Sequence, residues 1–189
     1  MEAFWISLWM IFVAELGDKS QLMALAFATR YRPWIVITGI TVATTVVHLM
    51  SVAIGGVIGT ALPTKAITIA AALAFFGFAI WTLRGDELSE EESAKATRAA
   101  GSALLAVTTA FFLSELGDKT MLATITLATH NGWVGTWIGS TVGMVAADAL
   151  AIVAGAMLGR KLPERFIKYG AAAAFAIFGV WMLVDAFAA

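Results

Sequence analysis

Three features of this sequence predict an all-α membrane protein, with six transmembrane helices arranged as two inverted three-helix repeats. The first is composition: 60% of the 189 residues are hydrophobic, 13% are charged and the mean hydropathy is +0.87, which is too apolar for a soluble domain of this size. The second is six apolar runs, at about 4–29, 34–60, 65–83, 102–129, 133–158 and 164–187, each close to or above the roughly 20 residues that a spanning helix needs. The third is self-similarity. Shifted by 100 residues, the chain aligns with itself without a gap: Leu22 meets Leu122, Thr29 Thr129, Gly39 Gly139, Gly55 Gly155, Gly59 Gly159, Pro63 Pro163, Phe75 Phe175 and Trp81 Trp181.

A duplicated unit of three helices is odd in number, so the second copy enters the membrane from the side opposite to the first. That is the architecture of many secondary transporters, whose site lies at the midplane between the repeats. The expected organisation is 1–84 as the first repeat, 85–101 as a connector and 102–189 as the second repeat, all in one integral membrane domain. Short alternating strands are absent, which argues against a barrel.

The first run follows Met1-Glu2, without a basic n-region or a small-residue cleavage site, and reads as a retained span. Loops 1–2, 3–4 and 5–6 share one face. They carry Arg30, Arg32, Arg84, Lys95, Arg98, Arg160, Lys161, Arg165 and Lys168, against Lys65 alone on the other face. This asymmetry puts both termini outside the cytoplasm. Trp5, Trp34, Trp81, Trp133 and Trp181 lie near span ends, where an interfacial belt belongs. In the connector, Ser89 with Glu92 is a capping-box pattern and Glu91 with Lys95 an i,i+4 pair, so a short surface helix over about 90–99 is expected. Gly55 and Gly59, Gly135, Gly139 and Gly143, and Gly155 and Gly159 recur every four residues, a spacing that lets membrane helices approach closely. With no cysteine, disulfides, thiolate metal sites and a lipid anchor on Cys are excluded.

Charge sits where it is least expected. Glu15-Leu16-Gly17-Asp18-Lys19-Ser20 and Glu115-Leu116-Gly117-Asp118-Lys119-Thr120 lie in the middle of the first and fourth runs. A charge near the bilayer centre costs roughly 3 kcal/mol on insertion scales, so three per span point to a function or a partner. In a continuous helix Glu15, Asp18, Lys19 and Leu22 share one face, as do Glu115, Asp118, Lys119 and Leu122. Inverted repeats bring the two sets face to face. Four carboxylates and two lysines sum to −2, the charge that one divalent cation cancels, and carboxylate and hydroxyl oxygens are hard ligands suited to Mg²⁺, Ca²⁺ and Mn²⁺. The bland alternative is a set of Glu–Lys or Asp–Lys bridges holding the halves together, which stabilise poorly compared with apolar packing.

Gly17 and Gly117 mark either a local unwinding or a close helix crossing. Ser20 and Thr120 offer hydroxyl ligands or bond back to their own helix. Met23 and Met121 are space-fillers with a secondary role as soft donors. Gln21 faces Met121 in the alignment, so any role for it is asymmetric. His48 aligns with Asp148, a polar pair at equivalent depth, for which a proton relay or accessory ligand competes with a buried hydrogen-bonded role.

These motifs resemble the family of cation/proton exchangers within the lysine-exporter superfamily, which includes bacterial manganese exporters and Golgi calcium/manganese–proton exchangers. Both hexapeptides fit its doubled E-φ-G-D-[KR]-[ST] pattern without departure, and the likeness covers the whole chain. The resemblance implies that Glu15, Asp18, Glu115 and Asp118 bind the cation, with Ser20 and Thr120 as further motif positions. Lys19, Lys119, His48, Asp148 and Gln21 are accessory or proton-relay candidates. It implies a multi-pass protein of the bacterial inner membrane that exports Mn²⁺, with Ca²⁺ as the alternative, in exchange for protons. The cation is cargo; no cofactor, no enzymatic activity and no nucleic acid are expected, and a homodimer is compatible with the pattern. The competing classes are a membrane-embedded lipid-phosphate hydrolase and a channel or exporter for another small cation, including a cationic amino acid. The first lacks an arginine in the motif regions. The second predicts flux that ignores a pH gradient.

Overall fold

A computed structural model describes residues 1–61, 63–84, 103–158 and 164–188; the connector, with its expected surface helix, lies outside them. Among the described residues every regular element is helical, and there are eight: α1 (Glu2–Glu15), α2 (Lys19–Ala28), α3 (Pro33–Ala61), α4 (Thr64–Arg84), α5 (Ala103–Glu115), α6 (Lys119–His130), α7 (Trp133–Leu158) and α8 (Glu164–Ala188). Two of them, α3 and α7 over Trp133–Gly155, are long and apolar enough to cross a membrane by length and composition.

The first and fourth apolar runs are not continuous helices, as the sequence reading had them. Each stops at its motif glutamate and restarts at the motif lysine. The cause is local. Gly17 and Gly117 stand at φ 76° and 78°, a conformation that costs an L side chain energy and glycine nothing, and these are the positive-φ residues of the described chain.

The 100-residue offset is visible in the packing. α1 lies on α7 as α5 lies on α3, α2 touches α7 as α6 touches α3, and α3–α7 and α4–α8 are pairings of equivalents. Phe75 and its equivalent Phe175 pack ring to ring at 5.9 Å between centroids. The Thr44 hydroxyl likewise donates to its equivalent Met144 at 3.5 Å. The four-residue glycine rows set the tightest of these contacts. A Cβ on Gly139 would strike the Phe4 carbonyl, one on Gly143 the Leu8 carbonyl and one on Gly55 the Ile125 carbonyl.

One part of the symmetry is missing. α4 packs on α6, and α8 on α1, but the equivalent contacts of α8 with α2 and α4 with α5 are not made to a like extent. The apolar core follows this division. One cluster joins Phe75, Phe78, Phe175 and Met182 of α4 and α8 to Ile11, Ala123, Leu127 and Met144. The other is built without α4 and α8, from Met23 and Phe27 of α2, Val36 and Ile40 of α3, Val107 and Phe111 of α5 and Ile152 of α7.

Candidate cation site between the two acidic turns

Each acidic turn is a broken helix. α1 ends at Glu15, the Asp18 N–H returns to the Glu15 carbonyl at 3.1 Å, and Asp18 occupies the cap position of α2 without using its side chain as a cap. The second turn repeats this geometry, with Asp118 N–H to the Glu115 carbonyl at 3.2 Å. Both aspartates thus keep their carboxylates for other partners, and each meets a lysine of the opposite repeat. Lys119 Nζ sits 2.7 Å from Asp18 Oδ1, and Lys19 Nζ 3.2 Å from Asp118 Oδ1. The lysines cross over, so the two turns form one cluster.

Glu15, Asp18, Glu115, Asp118, Ser20 and Thr120 are all buried. The Thr120 hydroxyl donates to Glu115 Oε2 at 2.9 Å, whereas the Ser20 hydroxyl and both carboxylate oxygens of Glu15 have no hydrogen-bond partner among the described residues. Asp148 of α7 is fully buried, and the carbonyl of its chain neighbour Ala147 accepts from Gln21 of the first turn, which sets Asp148 beside the cluster. Its aligned counterpart His48 is buried in α3, and its Nδ1 has no hydrogen-bond partner among the described residues.

Leu22 and Leu122 do not share the acidic face. They are 43% and 37% exposed, because the break between Glu15 and Lys19 rotates the second helix away from the register of a continuous one. The same break opens one backbone donor per turn, and the residue four positions on from each glycine takes it up. Gly17 N–H donates to Gln21 Oε1 at 2.7 Å, and Gly117 N–H to Met121 Sδ at 3.2 Å. Gln21 Nε2 also donates to the Ala147 carbonyl at 2.8 Å, beside Asp148. Nothing at Gly117 would obstruct a Cβ, so of the two expectations for that glycine the unwinding holds and the close crossing does not. Met23 fills space in the second apolar cluster.

Buried carboxylates of like charge are relieved by protons, by lysines or by a cation; here the lysines fill that role, and among the described residues no three of His, Asp and Glu stand close enough together to hold a metal ion as they are. The family model for divalent cation/proton antiporters of the GDT1 type matches residues 3–90 and 103–189. The chain belongs to the GDT1 family. It is therefore a member of a transporter family and not of an enzyme family. A Vibrio cholerae protein named "Putative manganese exporter" is 33% identical over 171 residues, which cover 89% of this chain and 84% of that one. GDT1-like protein 3 of Oryza sativa is 27% identical, covering 88% of this chain and 68% of the relative. A chloroplastic relative, GDT1-like protein 2 of the same species, is 30% identical and covers 90% and 58%. No solved structure matches the chain.

Proposed function

We propose that this GDT1-family antiporter exports Mn²⁺ from a bacterial cytoplasm in exchange for protons, and that the crossed acidic turns are its single transport site. The observation that carries this reading is the reciprocal pairing of Lys119 with Asp18 and Lys19 with Asp118 inside a buried acidic cluster. Two broken helices whose ends meet at depth are how transporters with repeated halves build ion sites. Glu15, Asp18, Glu115 and Asp118 supply the ligands, with Ser20, Thr120 and Asp148 around them. Gln21 holds the first turn in shape, and His48 stands outside the cluster.

Six spans in two inverted repeats accommodate the eight helices if α1 with α2 forms one span and α5 with α6 another. The domain limits stay at 1–84, 85–101 and 102–189. Both termini lie outside the cytoplasm by the loop charges, and exposed Trp5, Trp34, Trp133 and Trp181 fit an interfacial belt. In this orientation α1 and α6 form the outer half of the site's surroundings, and α2 and α5 the inner half. The α4–α8 pair rests on the outer half, and rocking it onto α2 and α5 would exchange access between the sides.

The cycle follows from charge. Facing outside, the cluster takes up protons, which neutralise carboxylates. Facing inside, a divalent cation displaces them, and the lysine bridges to Asp18 and Asp118 give way as it enters. A fully charged empty site does not reorient, because moving unpaired charge through a low-dielectric core is prohibitive, and this couples the two fluxes. All-oxygen donors suit Ca²⁺ as well as Mn²⁺; the name of the Vibrio relative favours Mn²⁺.

Proteoliposomes under an imposed pH gradient test the proposal. Mn²⁺ flux should follow the gradient and stop in Glu115→Gln and in Asp18→Asn, and Ca²⁺ should compete less well than unlabelled Mn²⁺. Flux that persists in both variants removes the site assignment, and flux indifferent to the gradient favours a channel.

A further inference from the structure

The two repeats bury different chemistry at equivalent positions. α1, α6 and α7 pack on one another in the half assigned above to the outer side, and α5, α2 and α3 do the same in the inner half. Into the first set go Ser7, Thr124, Thr136 and Ser140, each fully buried. Their equivalents in the second set are Val107, Ala24, Val36 and Ile40, buried to the same degree. Aliphatic side chains therefore suit these places in the fold, and the outer half carries hydroxyls instead. Burying a hydroxyl where an aliphatic group fits is unfavourable unless it is hydrogen-bonded; Thr124 and Ser140 bond back to their own helices, whereas Ser7 and Thr136 have no partner among the described residues.

We infer that the buried hydroxyls between α1, α6 and α7 are the passage by which protons reach the acidic cluster from the outer side. This deepens the exchanger reading and rests on it. Their depths are graded along the helices. Ser7 lies eight residues from Glu15, about 12 Å along α1, and Thr136 stands twelve residues, about 18 Å, from Asp148 on α7, with Ser140 one turn further in. Thr124 donates to the Thr120 carbonyl at 2.8 Å, and the Thr120 hydroxyl donates to Glu115 at 2.9 Å.

The passage suits protons and not the metal. Gly139 and Gly143 bring α7 against the Phe4 and Leu8 carbonyls of α1, which leaves no width for a hydrated cation. A proton needs no pore of that width: each hydroxyl accepts it on a lone pair and releases its own proton to the next acceptor, and single water molecules entering the seam carry it across the gaps between Ser7, Thr136 and the carboxylates. One proton enters from the outer solution for each carboxylate neutralised. Ser7 Oγ and Thr136 Oγ1 have no hydrogen-bond partner among the described residues, so the relay is interrupted in this state, as it must be while a cation loads from within. The titratable groups on the elements packed against the seam are Glu2 and Glu15 on α1, Lys119 and His130 on α6, Asp148 on α7, His48 on α3, Lys19 on α2, Lys65 and Arg84 on α4, and Glu164, Arg165, Lys168, Tyr169 and Asp185 on α8. None of these replaces the hydroxyls along the seam, where the described residues between Glu2 and Glu15 on α1 carry no titratable side chain.

The test transplants one half's chemistry into the other. Ser7→Val with Thr136→Val installs the residues that the inner half already carries. In proteoliposomes this variant should slow Mn²⁺/H⁺ exchange by about 100-fold, the low end of what a lost proton-transfer group costs. Mn²⁺/Mn²⁺ self-exchange, which needs no proton, should stay at the wild-type rate. Ser7→Thr with Thr136→Ser keeps both hydroxyls and should restore proton-driven exchange. Equal loss of both exchange modes would assign the hydroxyls a packing role, and an unchanged proton-driven rate would show that they carry nothing; either overturns the proposal. Failure of the exchanger reading is separately visible, since wild-type flux would then ignore the pH gradient.

Discussion

At the first acidic turn a glutamine holds the Gly17 N–H and reaches across to the Ala147 carbonyl, while the side chains of Glu15 and Ser20 have no hydrogen-bond partner among the described residues; at the second a methionine sulfur takes the Gly117 N–H, and Thr120 holds Glu115. The hexapeptides are nearly identical, so the difference comes from what surrounds them. The turns share their backbone break and their charges, which the chemistry of the site requires twice. They differ in the side chains that support them. Duplication preserved the charged residues and released their neighbours to diverge.

Variants that erase or exchange these differences should separate shared from private features. The largest effects belong to what is shared: Glu15→Gln and Glu115→Gln should each reduce Mn²⁺ flux to background in proteoliposomes, although of the two only Glu115 has a hydroxyl partner among the described residues. A variant of one turn that keeps half the flux would mean that the turns work independently.

The crossed bridges come next. Removing one partner of a buried ion pair costs about 3 kcal/mol or more, because the other charge is left uncompensated. Lys119 is the shorter and more buried of the two, with its side chain 4% exposed against 13% for Lys19. Lys119→Met should therefore lower the thermal midpoint of the detergent-solubilised protein more than Lys19→Met, as read by circular dichroism.

The glycine rows give a smaller contrast. At Gly139 an added Cβ meets the backbone carbonyl of Phe4, whereas at Gly39 it meets chiefly the Val107 side chain, 2.7 Å away, which has room to turn. Gly139→Ala should destabilise by about 2 kcal/mol and Gly39→Ala by about half that, in the range for overpacking. The exchange of supports is of the same order at one turn and smallest of all at the other. Gln21→Met loses two hydrogen bonds, one of them buried, for about 1–2 kcal/mol, while Met121→Gln should be nearly neutral in the same melting experiment.

Much of this was legible from the residues. The 100-residue offset, the acidic hexapeptides and the glycine spacing are properties of order along the chain, and each has its counterpart in the packing. The helix break was legible only as one of two readings of Gly17 and Gly117, because glycine serves a close crossing as readily as a positive φ. Treating the turns as continuous helix then misplaced Leu22 and Leu122, whose direction depends on three residues that are not helical. The partners of Lys19 and Lys119 were beyond reach for another reason. Spacing within a helix reports neighbours on that helix, and the crossed pairing depends on how two repeats dock. The Gln21 contact with Ala147, 126 residues away, was hidden in the same way. A signal for the outer hydroxyls was present in the alignment of the halves, where Ser7 faces Val107 and Thr136 faces Val36. It acquires meaning only once all four positions are known to be buried.

The most direct test of a pocket shared by both turns is the stoichiometry of Mn²⁺ binding to the purified protein, measured by isothermal titration calorimetry with wild type, Asp18→Asn and Asp118→Asn. One site per chain, lost when either aspartate is changed, is the expected result. Two sites per chain, or a site that survives intact when one turn is disabled, would contradict it.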